Sequence, residues 1–318
     1  MDNRITKRRL SDFLAYDWIL MIVAIMALIF LWEVIFTSAA TRLSVGQKFK
    51  IYRDEGLYAS DNTNLIALLG AADGENGKTF SYDVLSVESE SLTSSYNVLP
   101  TRMSVRDGDA IFTSSVETDG VSRVRTIIDD YPVCDFNELK ENAKAYLNQF
   151  VVENGDIYNE NDYDEAKIRA YFNERMDGDK RFKTEDALEK GRRDEIGRIK
   201  LLAKNVKDFE KLLAYENQDI FYKYIRYEQA HNSDPEDEEL AGYYEQEKAK
   251  GARVFGLNIA ALTGGTNNPS DYFKLMGTDK ADNVVLVLFD FTKYQPDLQY
   301  ETISFTVTLV KEFSNILG

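Results

Sequence analysis

One cysteine, Cys134, and one histidine, His231, are all that 318 residues offer of either type. A lone cysteine closes no intrachain disulfide and builds no cysteine-only metal site, and a lone histidine rules out multi-histidine zinc centres. Basic residues are scarce beside acidic ones: 38 Lys+Arg face 54 Asp+Glu, for a formal charge of −16. Phosphate recognition needs clustered Lys and Arg, so this balance argues against a nucleic-acid partner. Both tryptophans, Trp18 and Trp32, fall in one N-terminal run, and no internal repeat or low-complexity segment occurs. What is present suits a globular chain. Hydrophobic residues at 44% and charged residues at 29% exclude wholesale disorder. The length allows two domains at roughly 150 residues each.

From Trp18 to Trp32 there is no charge and no helix breaker. Continued through Glu33 to Phe36, the run covers about 19 residues, or roughly 28 Å of helix at ~1.5 Å per residue. That approaches the ~30 Å hydrocarbon core of a bilayer, and Ala39 and Ala40 complete it. The two indole rings mark its ends, and Glu33 lies near enough to the outer end to snorkel. Arg4, Lys7, Arg8 and Arg9 precede the run, while only Arg42 follows closely. The positive-inside rule therefore predicts a cytoplasmic tail over 1–17, a transmembrane helix over 18–40 and an extracytoplasmic remainder. Ser38-Ala39-Ala40 also resembles a signal-peptide cleavage site. The apolar core of a signal peptide spans only ~7–15 residues, which favours an uncleaved anchor.

Beyond the anchor, residues 47–56 read as a short strand, Asn64 to Ala72 as an apolar run of undecided type, and Thr79 to Glu88 as an alternating strand. Tyr96 to Val105 suits a short helix or a bent segment. Asp109 to Ser114 looks like a buried strand, and Ser122 to Ile128 like another. Near Cys134 the texture turns helical and charged. Asp135 with Glu138 makes a capping pair in front of Leu139, Ala143, Tyr146 and Leu147. A polar loop (154–164), a helix over 165–176, a long helical period from Glu185 to about Ala230 and a charged helix over 236–250 follow. Val254 to Ile259 is a short apolar segment. Asn283 to Asp290 is apolar on both faces and predicts a central strand in a covered sheet, and 298–317 predicts a closing helix. The predicted fold class is α/β: an N-terminal transmembrane helix followed by an extracytoplasmic α/β sandwich with a charged helical insert. Its parts are a β-rich stretch (41–133), the helical insert (134–250) and a returning α/β segment (251–318).

Catalytic signals are weak. His231 sits beside Asn232-Ser233-Asp234 on a charged helix end and reads as a surface residue, and Cys134 reads as a small buried hydrophobe. No Gly-x-Ser-x-Gly elbow occurs. The loop 156–164 offers many oxygen ligands but lacks the Gly and Glu of an EF-hand register, so a solvated acidic loop is the better reading. Asp129 and Asp130 are adjacent carboxylates in a chain full of them. Gly264-Gly265 has neither the Lys-Ser/Thr of a P-loop nor dinucleotide spacing. The Tyr222, Tyr224 and Tyr227 cluster could stack a sugar, although this spacing more often marks packing. No catalytic residue, metal ligand or cofactor is predicted, and no ligand-binding residue is assigned.

Two stretches resemble the extracytoplasmic solute-binding proteins of bacterial ABC importers. The first is Thr79–Glu88, Tyr96–Met103 and Asp107–Thr113, similar to strand, helix and strand of their first lobe; the second is Val284–Phe289 with Gln299–Val310, similar to their late strand and returning helix. The anchor followed by Thr41-Arg-Leu-Ser-Val-Gly46 resembles single-pass membrane proteins of Gram-positive bacteria. The resemblance implies a non-enzymatic accessory or solute-binding-like component of a carbohydrate ABC import system. Its partners would be the membrane, through Trp18–Ala40, and an ABC transporter permease or another envelope protein. The alternative expectation is a cell-envelope interaction or scaffold protein acting through its charged helical face.

Overall fold

The computed structural model describes residues 7, 11, 18–39, 48–59, 64–71, 86–92, 95–278, 280–291 and 300–318. The chain divides into two units, Met1–Ser44 and Val45–Gly318. The first unit holds helix α1, Trp18–Ala39, 22 residues long. Its apolar side chains are exposed around the helix, Trp32 to 70% and Phe30 to 68%, so no stripe is reserved for a protein core. Among the described residues no helix is long and apolar enough to cross a membrane; the described side chains of α1 stop at Ile35. Nearly all of the predicted cytoplasmic tail, and Ala40, lie outside the described residues.

In the second unit the order is β1 Lys48–Arg53, β2 Leu57–Tyr58, α2 Leu65–Ala71, β3 Ser86–Ser91, α3 Ser95–Ser104, β4 Ala110–Ser114, the hairpin β5 Glu117–Thr118 and β6 Val121–Ser122, then α4 Arg123–Asp130. There follow α5 Phe136–Asn148, α6 Glu165–Arg175, α7 Glu185–Leu213, β7 Phe221–Tyr224, α8 Glu228–Ser233 and α9 Glu238–Lys250. The chain ends with β8 Arg253–Asn258, α10 Pro269–Tyr272, β9 Lys274–Leu275, β10 Val284–Leu288 and α11 Glu301–Phe313. Among the described residues six strands form one mixed sheet in the order β3-β1-β4-β10-β8-β7. β3, β1 and β4 are parallel, and β10, β8 and β7 continue antiparallel.

All five residues of β10 are buried, so this strand needs cover on both faces. Side chains alternate accordingly. Phe49, Ile51, Phe112, Val284, Leu286 and Leu288 meet the apolar faces of α2, α5, α7 and α11. Tyr52, Ile111, Val285 and Val287 meet Leu99 and Met103 of α3 and Val124, Ile127 and Ile128 of α4. The mixed α/β class is thus present. The Asp135 half of the expected capping pair is present: Asp135 accepts from the amides of Asn137 and Glu138 at the start of α5, and Glu138 lies in the first turn.

Two expectations are corrected. Residues 123–130 are helix α4, not a strand; Val124, Ile127 and Ile128 recur at helical spacing, and their β-branching masked it. The long helix stops at Leu213 instead of reaching Ala230, and 221–224 form edge strand β7, in which Phe221 and Tyr224 are buried. Pairing with β8, through a bulge at Tyr222/Lys223, overrides the helical period. The segment 134–250 is therefore not purely helical, because it supplies a strand to the sheet. Residues 79–85 of the expected strand and 298–299 of the expected helix lie outside the described residues; the described strand runs on to Ser91, and the closing helix stops at Phe313, short of 317, where Ser314 is extended.

The helical layer is tied together by buried charge. Arg198 of α7, 4% exposed, donates Nε to Glu195 Oε2 at 3.0 Å and Nη2 to Glu195 Oε1 at 2.7 Å and to the Tyr146 hydroxyl at 2.8 Å. Arg175 of α6 reaches Glu195 at 3.0 Å, and Glu301 at the start of α11 lies 3.9 Å from Arg198. Four helices thus share one ionic group. Glu195→Ala leaves Arg198 buried and short of its principal counter-charge. The expected loss is about 3–5 kcal/mol in chemical denaturation, whereas an exposed pair such as Lys248–Glu245 should cost under about 1 kcal/mol when broken.

Candidate functional site

β1, β4 and β8 run in the same direction, so their carboxyl ends share one edge of the sheet. In open α/β sheets ligands bind beyond that edge, most often where connections diverge to opposite faces. They diverge between β1 and β4: β1 leads to α2 on one face, and β4 leads through the β5–β6 hairpin to α4 on the other. Asp54 sits there, 2% exposed. Its Oδ2 accepts from Thr113 Oγ1 at 2.6 Å and Arg123 Nε at 3.0 Å, and its Oδ1 accepts from the Glu55 amide at 3.1 Å. Both carboxylate oxygens are engaged from within, so the group pins the start of α4 to β1 and β4 and serves the fold.

A second feature of the same edge is open. After β8 the chain makes a turn at Ile259–Ala261, runs through the loop 263–268 into α10, and returns through 280–283 to β10. This excursion encloses a cavity of about 440 Å³. Gly264 (φ +86) and Gly265 shape the loop; a Cβ on Gly265 would overlap the backbone of Glu312, Phe313 and Ser314. Without side chains the loop closes on the carbonyl end of α11. The Gly265 amide donates to Phe313 O at 3.2 Å, the Asn267 amide to Glu312 O at 3.0 Å, and Asn267 Nδ2 to Glu312 Oε2 at 2.9 Å. Carbonyls left over at a helix end are thereby satisfied.

The walls of the cavity are polar over an apolar floor. Thr263, Thr266, Asn268, Lys280 and Asp282 surround Pro269 and Phe313. Asn268 Oδ1 accepts the Ser270 amide at 3.0 Å. The hydroxyls of Thr263 and Thr266, the Lys280 ammonium and the Asp282 carboxylate have no hydrogen-bond partner among the described residues, and all four residues are exposed. Amide, hydroxyl, ammonium and carboxylate together can meet a polar solute with both donors and acceptors.

The residues singled out from sequence are scattered. His231 stacks on Tyr244 of α9, ring centroids 4.8 Å apart. Cys134, between α4 and α5, is buried, with Sγ 3.5 Å from Phe289 O. Asp129 binds Tyr224 Oη at 3.0 Å and the Tyr227 amide at 2.7 Å. Burial pushes its carboxyl up to about 6, the Tyr227 amide, Tyr224 hydroxyl and Arg226 pull against that, and Asp130 adds to it. Asp130 is also raised, by burial against the pull of Arg123 and Arg226. In the loop 156–164 Asp156, Asn159 and Asp162 spend oxygens on neighbouring amides, and among the described residues no three potential ligands converge on a metal position. Tyr222 accepts from Arg125 Nε at 3.3 Å, Tyr224 is buried, and Tyr227 stacks on Tyr243 at 5.8 Å. None of these three lines the cavity. Gly264 and Gly265 do, as backbone. The cavity's signal in the sequence is the run Thr263-Gly-Gly-Thr-Asn-Asn-Pro-Ser270 directly after an apolar strand; Lys280 and Asp282 carry none, since only the fold returns them to it. No family model, no curated protein and no solved structure matches the chain.

Away from this edge, Asp109 precedes β4 and accepts the Lys50 amide at 2.7 Å. Burial raises its carboxyl to about 7, opposed by that hydrogen bond and reinforced by Asp107 and Glu301. A carboxyl raised in the folded state holds its proton better there than in the unfolded chain. Its contribution is fully present below the ordinary carboxylate range and is lost as pH rises through about 7. Denaturation midpoints measured from pH 5 to 8 should fall more steeply for the wild type than for Asp109→Asn, which cannot titrate. At the cavity, Gly265→Ala should destabilise by about 1–3 kcal/mol through overlap with the end of α11, while Thr266→Ala, on the exposed rim, should stay within about 0.5 kcal/mol by thermal denaturation.

Proposed function

We propose that the chain is a membrane-anchored, extracytoplasmic, non-enzymatic binding protein, a solute-binding-like accessory component of a bacterial carbohydrate import system of the ABC type. The observation that carries the reading is the polar cavity at the carboxyl edge of the sheet, where the side chains of Thr263, Thr266, Lys280 and Asp282 stand without partners among the described residues, beside Pro269 and Phe313. Such a surface suits a polyhydroxylated solute, whose hydroxyls both donate and accept. The anchoring half of the proposal places Trp18–Ala40 across the cytoplasmic membrane with the N-terminus inside. It is supported by an α1 that is apolar on every side, with Glu33 its one charged residue, and by Arg4, Lys7, Arg8 and Arg9 ahead of it. A permease or another envelope protein is the partner this reading implies.

A second reading, an envelope scaffold acting through a charged helical face, is favoured by one observation. Helix α9 has no buried residue and displays Glu238, Glu239, Glu245, Lys248 and Lys250 to solvent.

The test is a thermal-shift screen of the full chain in detergent against mono- and oligosaccharides, with peptides as the contrasting set. A saccharide at about a hundred times its dissociation constant should stabilise by about 2.7 kcal/mol. Asp282→Ala should abolish that shift while leaving the unliganded melting temperature within about 2 °C, because Asp282 is exposed. No shift with any saccharide from a cooperatively melting sample rejects the solute reading, and a shift unaffected by Asp282→Ala rejects this cavity as the site.

A further inference from the structure

β7 and β8 are antiparallel neighbours, with Tyr224 opposite Arg253. Strands so placed can be joined by a two-residue turn. Here residues 225–252 leave the sheet instead and run out and back as α8 and α9. Neither helix contributes a buried residue, so the excursion adds nothing to either apolar core.

What holds it down is a short set of polar and ring contacts. The Tyr227 amide donates to Asp129 Oδ1 at 2.7 Å, the Gln229 amide to the Tyr224 hydroxyl at 2.7 Å, the Ser122 amide to Gln229 Oε1 at 2.7 Å, and Gln229 Nε2 to Thr126 Oγ1 at 3.0 Å. Tyr224 in turn donates to Asp129 at 3.0 Å, so both strap amides are held through that carboxylate. Arg226 Nη2 donates to Tyr131 O at 2.6 Å, and Arg253 pairs with Glu247. Tyr227 on Tyr243 and His231 on Tyr244 join α8 to α9. Asp129, at 9% exposure, is the one buried carboxylate in the set. The residue it grips, Tyr227, has φ 66° and ψ 1°, a left-handed backbone that a bulky side chain rarely adopts. Such a conformation persists only where its surroundings impose it, and the Asp129 hydrogen bond is the contact made to that residue's own amide.

We propose that residues 225–252 form a strap that undocks as one piece from an otherwise intact domain, and that the Asp129–Tyr227 hydrogen bond is the pin that keeps it docked. The groups facing Asp129 are Tyr224 from β7, Arg226 from the start of the strap and Asp130 from its own helix. Burial outweighs the pull of Tyr227, Tyr224 and Arg226, so the docked state holds the Asp129 proton more tightly than the open state, where the carboxyl meets water. By linkage, acid favours docking and a rise through about pH 6 favours release.

Hydrogen exchange of the full chain in detergent, followed by mass spectrometry and corrected for intrinsic rates, tests this. Peptides within 228–250 should exchange at least about tenfold faster than α7 or β10. Asp129→Ala should speed them about tenfold further, the usual order for losing a hydrogen bond to a charged group, without altering α7 or β10. Between pH 5 and 7.5 the wild-type strap should loosen, and Asp129→Asn should remove that dependence. Strap peptides that exchange in step with β10, or that are unmoved by Asp129→Ala in a domain with an intact core, overturn the proposal. Should Asp129→Ala fail to fold, persistence of the pH dependence in Asp129→Asn overturns it equally.

Discussion

A strand of five apolar residues with no polar face cannot lie at a surface. Val284–Leu288 is such a strand, and burying it on both sides decides most of the architecture. It lies inside the sheet between β4 and β8, which requires the chain to have made β4 and β8 in register with it. It splits the apolar residues into two sets, one under α3 and α4, the other under α2, α5, α7 and α11. It also explains the close approach at Gly256 of β8, where a Cβ would overlap the Leu286 carbonyl. A larger side chain there would force β8 away from β10.

Polar groups inside this frame fix how the helices sit. Asp54, Thr113 and Arg123 lock α4 to the ends of β1 and β4, although Asp54 and Arg123 lie 69 residues apart in sequence. Asn205 Nδ2 donates to Ser304 Oγ at 3.0 Å between α7 and α11, and Lys311 Nζ donates to Asp208 at 2.7 Å along the same contact. Arg198 with Glu195, Tyr146 and Glu301 closes the group at the start of α11. Apolar packing alone would allow these helices to slide by a turn. Buried hydrogen bonds with unique partners do not, because a slipped register leaves charges buried without partners.

This physics also sets what could be read from the sequence. β10 was legible because its apolarity on both faces is local, and α5 because Asp135 and Glu138 announce its start. Residues 123–128 misled because Val124, Ile127 and Ile128 satisfy helical spacing while their side chains favour strands. Residues 221–224 misled because pairing with β8, not local pattern, makes them a strand. The cavity was less legible still. The loop 263–268 is visible as a run of small polar residues, yet Lys280 and Asp282 reach it only because β10 starts beside the end of β8. Convergence of this kind belongs to topology, and no spacing encodes it.

The working edge of the sheet, on this account, is the carboxyl edge, open at the cavity and closed by Asp54 at the strand divergence. Its proposed station is outside the cell, held by the N-terminal helix. Cys134 is buried, which shields it from thiol reagents, and the Cys134→Ser background removes any residual signal from it. The decisive measurement is labelling of Thr266→Cys, on the cavity rim, with a membrane-impermeant maleimide in intact cells. Labelling without lysis, slowed by the saccharide that stabilises the protein, is the expected result. Labelling that appears only after the membrane is opened would contradict it.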